Sequence, residues 1–194
     1  MPLPEAQART RLHTREYVYQ CYLRDDGLWD IDAELSDVKD YPYTLHSRNV
    51  PPYEPVHNMQ IRLSVDDSLT IREIVASTVH APFPECVRTA DPMRAMVGVT
   101  IGPGWRSEIE QRLGGVRGCT HLRDLLFNAA TAAYQSVAAH ALHARLSERN
   151  LGPIKMERPH FLGKCMAWAL DGPVVRQYEP DFYVPPSSEQ EQPD

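Results

Sequence analysis

Between Met59 and Val65 the chain alternates without a fault. Met59, Ile61, Leu63 and Val65 are apolar, and Gln60, Arg62 and Ser64 between them are polar. A period of two is the signature of a strand with one buried face. Asp66-Asp67-Ser68 turns the chain, and Leu69–Val79 reads as the partner strand, although Ile71-Arg72-Glu73-Ile74 also permits a helical turn. Upstream, His13–Leu23 carries Tyr17, Val18, Tyr19 and Tyr22, and Asp25-Asp26-Gly27 is a turn signal because Asp-Gly suits positive φ. Leu28–Lys39 is the returning strand of a hairpin. Pro42, Pro51, Pro52 and Pro55 forbid regular pairing and make Tyr41–Pro55 a loop.

Further on, the period lengthens. Leu122, Leu125, Leu126, Ala129, Ala130, Ala133, Val137 and Ala141 form a helical stripe, three and four apart. The helix is expected over Thr120–Arg149, a length of roughly 45 Å. Trp105–Leu113 is a shorter helix with Ile109 and Leu113 facing inward, stopped by Gly114-Gly115. Asp91-Pro92 signals another helix start, running to about Val97. Pro82–Cys86 is irregular. Leu162–Leu170 and Val174–Tyr178 flank Asp171-Gly172 as a second hairpin. These elements predict an α+β fold: an antiparallel sheet packed against a long helix from the C-terminal half and shorter helices. A single domain is expected over residues 1–184, with 185–194 a disordered acidic tail.

Composition narrows the classes. Of 194 residues, 42% are hydrophobic and 24% charged, enough for a packed core. The net charge is -6, and Lys and Arg are scattered among acids, so no basic stripe offers itself to nucleic acid. No run approaches the roughly 20 apolar residues of a membrane span, and Met1–Arg11 lacks the apolar core of a secretion signal. The expectation is a cytoplasmic protein in which Cys21, Cys86, Cys119 and Cys165 are free thiols or ligands.

The candidate chemistry centres on Gly114–Leu122, where Cys119 and then His121 open the long helix. Outward-pointing N–H groups at such a boundary favour thiolate, which suits a metal ligand or a nucleophile. Cys119 with His121 or His57 as base would meet the logic of thiol catalysis. On a regular helix, however, neighbours two apart diverge. The N-terminal hairpin concentrates Arg15, Arg24, Asp26, Asp30, Asp37 and Lys39. That is either a solvated face or an anion pocket with Arg15 and Arg24 as fork-shaped donors, Lys39 beside them and Trp29 as an apolar wall. His13 is an acid–base candidate or a structural histidine.

Several of these segments carry a resemblance. His13-Thr14-Arg15, Arg24–Asp30, Asp37-Val38-Lys39, His57-Asn58-Met59, Pro82–Cys86, Gly118–Leu122 and Pro159–Cys165 resemble, in order, a bacterial family of unknown function, domain-of-unknown-function family 2889. The family usually has Asp where this chain has Asn58. No reaction comes with the resemblance.

More distantly, His57–Val137 is similar to the iron–sulfur cluster scaffold proteins of the IscU/NifU type. His57 stands where a scaffold cysteine precedes a strand, Cys86 where one follows the sheet, and Cys119 where one opens the Ala-rich helix. That likeness implies a scaffold-like core with an added N-terminal hairpin, and a metal held by His57, Cys86 and Cys119. His121 would be a further ligand or a catalytic group. Mixed His and Cys donors suit zinc, and also iron or a cluster.

The expected function is therefore a metal-dependent enzyme acting on a small anionic organic substrate. The alternatives are a zinc or iron–sulfur carrier, a metal-free cysteine enzyme, or an interaction protein. A further alternative keeps Cys86 and Cys119 as small buried side chains. Neither nucleic acid nor membrane is an expected partner, and Ala129, Ala130, Ala132 and Ala133 leave the long helix open to pairing with a second copy.

Overall fold

The computed structural model describes residues 2–45, 48–147, 158–159 and 161–186. The chain divides into two compact units, residues 1–147 and 148–194. Most of the tail expected over 185–194 lies outside the described residues.

The first unit is built on one antiparallel sheet of four strands. Strands β1 (His13–Leu23), β2 (Trp29–Lys39), β5 (Pro55–Val65) and β6 (Ile71–His80) pair in the order β1-β2-β5-β6. The N-terminal hairpin β1-β2 supplies half of that sheet, pairing through β2 with β5. Two short strands, β3 (Tyr43–Thr44) and β4 (Asn49–Val50), form a small ladder inside the segment expected to be an unpaired loop. The prolines do limit pairing there, since the ladder stops at Val50, before Pro51.

Alternation sets what each face holds. Trp29, Ile31, Ala33 and Leu35 of β2 and Met59, Ile61, Leu63 and Val65 of β5 are buried. They meet helices α1 (Trp105–Leu113) and α2 (Thr120–Ser147) on one side of the sheet. From α2, Leu122, Leu125, Leu126, Ala129, Ala133 and Val137 are buried against them. The other face carries Asp32, Glu34, Gln60 and Arg62, with Arg62 gripping both oxygens of Asp32.

Pro84–Met96 is a run of 3-10 turns with Pro92 inside it, not a helix beginning at Asp91. Pro84 supplies the pre-set φ at its first turn, and Met93 and Met96 plug the core.

In the second unit the hairpin expected from 162–170 and 174–178 does not form. Met166–Trp168 is a 3-10 turn and Pro173–Tyr178 is a short helix, α3. Pro173 has no N–H to give a ladder and fixes the φ of a first helical turn, so the apolar pair Val174-Val175 enters a helix. Among the described residues, no helix is long and apolar enough to cross a membrane.

Candidate functional site

Register builds the site. Arg15 of β1 lies directly opposite Asp37 of β2, and Asp37 lies directly opposite His57 of β5. Asp37 continues the inward parity of Trp29, Ile31, Ala33 and Leu35, so a carboxylate enters a strand face that otherwise buries apolar side chains. It is 2% exposed.

A charge so placed must be compensated. Arg15 Nε donates to Oδ1 at 2.7 Å and Nη2 to Oδ2 at 2.6 Å, a two-pronged pair. His13 Nε2 lies 2.9 Å from Oδ1 and His57 Nδ1 3.1 Å from Oδ2. Burial alone would raise the Asp37 pKa. The hydrogen bonds from Arg15 and His13, with the charges of Arg15 and His57, outweigh it and hold the carboxyl at about 2. The same carboxylate raises the Arg15 pKa.

The mouth of α2 closes over this row. Cys119 is the last residue before the helix, and its carbonyl accepts the first intrahelical bond, from Arg123 N–H at 3.0 Å. It therefore occupies the N-cap position rather than the helix itself. This is why the divergence expected of neighbours two apart does not occur: His121 folds back, and its Nδ1 lies 3.7 Å from Cys119 Sγ. Its Nε2 points toward Asp37 Oδ2 at 4.0 Å, beyond hydrogen-bond range. The His121 and His57 rings stack with centroids 4.1 Å apart.

Burial pushes the Cys119 thiol up. The His121 ring and the backbone N–H groups of Leu122 and His121 outweigh that and bring it below the ordinary thiol value. Met59 Sδ covers the thiol from the sheet side at 3.8 Å. Burial, the His121 charge and the Arg15 charge lower the His57 pKa, against the opposing pull of Asp37. His57 is thus a neutral imidazole near pH 7. With Nδ1–H donated to Asp37, its Nε2 carries a lone pair.

Of the residues singled out from sequence, the fold brings His13, Arg15, His57, Cys119 and His121 to one end of the sheet, around Asp37. Among the described residues, the metal-type donor atoms lying within 4.8 Å of one another belong to Asp37, His57 and His121. Cys86 is not among them; it sits in the 3-10 run past β6, where its carbonyl accepts from Thr89 Oγ1 at 2.6 Å. Cys165 is an exposed thiol of the second unit.

Arg24 and Trp29 sit at the opposite end of β2, about 27 Å from Asp37 at the rise of a strand. Arg24 is paired with Asp26, and the Trp29 indole N–H donates to Asp67 at 3.0 Å. They line no pocket with Arg15. Lys39 Nζ lies 5.9 Å from the centre of the Tyr43 ring.

Asp37 is the participant the sequence reading missed, having left it unassigned among hairpin charges read as either a solvated face or an anion pocket. Its signal was there: it occupies the fifth inward position of an otherwise apolar alternation.

The sequence profile of the family described as "protein of unknown function (DUF2889)" matches residues 13–135. The chain belongs to that family, and the matched stretch runs from His13 through the first half of α2, so it includes every residue of the site. No curated protein and no solved structure matches the chain.

Proposed function

We propose that the protein is an enzyme that transfers or hydrolyses an acyl group of a small anionic organic substrate through the thiolate of Cys119. The observation that carries this reading is the 3.7 Å approach of His121 Nδ1 to Cys119 Sγ at a helix mouth, with Asp37 behind the ring. Nucleophile and base stand in the order that thiol catalysis needs, with the Asp37 carboxylate facing the far nitrogen of the base at 4.0 Å.

Cys119 Sγ–H gives its proton to His121 Nδ1, and the sulfur attacks the substrate carbonyl carbon, moving an electron pair onto oxygen. Collapse of that adduct re-forms the carbonyl and expels the leaving group, which takes the proton from His121. Water, deprotonated at His57 Nε2, then attacks the thioester carbon. The carboxylic acid departs and the thiol regains its proton.

The test is selective labelling. Iodoacetamide is expected to modify Cys119 with a rate that rises at a lower pH than for exposed Cys165, and His121→Ala is expected to abolish that advantage. A panel of small thioesters and esters supplies turnover, which Cys119→Ser should abolish. Equal labelling of the two cysteines, with turnover intact in Cys119→Ser, would remove the reading.

A metal reading rests on the donor set Asp37, His57 and His121. Two imidazoles and one carboxylate suit zinc or non-haem iron, and such an ion would supply an activated water. It ranks second because Arg15 already occupies both oxygens of Asp37, so a dication would share that carboxylate with a guanidinium. Stoichiometric metal in the purified protein, lost in His57→Ala, would reverse the order. A cluster-carrier role calls for several thiolates, and the donor group Asp37, His57 and His121 includes none.

A further inference from the structure

Past the end of β6 lies an open cavity of about 330 Å³. Its lining includes the polar side chains of Arg48, Thr78 and His80 and the apolar ones of Phe83, Pro84 and Val87. That size suits a small organic molecule. Its polar wall is unusual. Arg48 Nε, Thr78 Oγ1 and His80 Nδ1 are each shielded from solvent and have no hydrogen-bond partner. Buried polar atoms are normally paired, and leaving one unpaired is costly. Here three such atoms belong to side chains around one cavity.

Arg48 is held at its tip, where Nη2 donates to the Pro55 carbonyl at 3.1 Å, and no carboxylate faces it among the described residues. The apolar part of the lining includes Phe83 and Val87, both exposed. A cation and a hydroxyl together with aliphatic and aromatic surface in one cavity match an organic carboxylate: a charged head joined to an apolar body.

Register ties this cavity to the thiol. Thr78 is the cross-strand partner of Met59, and Met59 Sδ lies 3.8 Å from Cys119 Sγ. His80 is the partner of Asn58, beside His57.

We infer that the Arg48–Thr78–His80 cavity is a binding subsite for the carboxylate of a small apolar acid, the anionic end of the substrate proposed above. The inference takes its link to catalysis from that proposal, but binding stands apart from it. Thr78 and His80 supply hydrogen-bonding groups for the ligand head, and Arg48 supplies the opposite charge.

Benzoate is the probe, with benzyl alcohol as the uncharged comparison. Calorimetric titration of the full-length protein and of Cys119→Ser should give the same Kd, about 1 mM for a ligand of this size. Arg48→Gln should weaken it at least tenfold, and Thr78→Val, nearly isosteric, severalfold. Benzyl alcohol should not bind. Saturating benzoate should also slow alkylation of Cys119.

If Cys119 proves unreactive while benzoate still binds and responds to both substitutions, the catalytic proposal fails and the subsite stands. Absence of benzoate binding to the folded wild-type protein, or binding unchanged by Thr78→Val and Arg48→Gln, would overturn the subsite, leaving the three polar atoms to ordered water.

Discussion

Arg15 holds both oxygens of Asp37 from the adjoining strand, and that pair is the electrostatic anchor of the site. It keeps a carboxylate charged in a face built of Leu35, Met59 and Leu125. His13 and His57 hydrogen-bond to the anchor, and His121 faces it without a hydrogen bond.

The first consequence is a stability that depends on acid. The Asp37 carboxyl titrates at about 2 in the folded chain against 3.8 ordinarily, so the unfolded chain binds the proton more readily. The stabilisation is fully present above about pH 4 and is lost as pH falls toward 2. It amounts to about 2 kcal/mol. Urea unfolding at pH 6 and pH 2.5 should show this loss, and Asp37→Asn should flatten it while lowering stability at pH 6.

His57 should behave in the opposite sense from a histidine that gains a partner. Its folded pKa lies below the ordinary 6.5. The native state therefore resists protonation, and the associated stability is lost as pH falls below about 6.5. NMR titration of the ring should give a midpoint under the free value. His121→Ala, by removing a repelling charge, should move it up.

Gly118 fixes the approach to the thiol. A Cβ there would lie 2.7 Å from the Leu113 carbonyl oxygen and 3.2 Å from Leu113 Cβ. Its φ of -157° is open to any residue, so the requirement is space rather than backbone freedom. Gly118→Ala should cost about 1–3 kcal/mol and slow Cys119 alkylation, because the only relief is to shift the helix mouth. Thermal unfolding and labelling of the same sample will show both effects.

The one-sided sheet makes a contrast in packing. Leu63 is fully buried beneath α2, and Val75, on the same pair of strands, is 65% exposed on the outer face. Leu63→Ala should destabilise by about 2–5 kcal/mol. Val75→Ser should stay within about 0.5 kcal/mol. Urea midpoints separate the two.

Much of this architecture is local, and the sequence reading reached it for that reason. The alternation from Met59 to Val65 is the inward face of β5, and Trp105–Leu113 has the boundaries read from its apolar spacing and Gly114. The helix opened by Cys119 is likewise evident from its leucine and alanine stripe. Where local and chain-wide demands diverged, the reading failed. Val174-Val175 looks like strand, yet Pro173 commits it to helix. The site's core was hidden because it depends on register: whether Arg15 meets Asp37 is decided by the turn at Asp25–Gly27, not by either residue's neighbours. Cys86 was drawn in by its place after the sheet, a place that leads into 3-10 turns instead of the helix mouth.

The row Arg15–Asp37–His57 also disciplines assembly. Sliding β1 by one position against β2 would swing Arg15 to the outer surface and strand an anion in dry surroundings, a fault costing about 3–5 kcal/mol. A misaligned meander thus forfeits its carboxylate–histidine cluster and its stability in the same stroke. The ion pair proofreads the pairing on which that cluster rests.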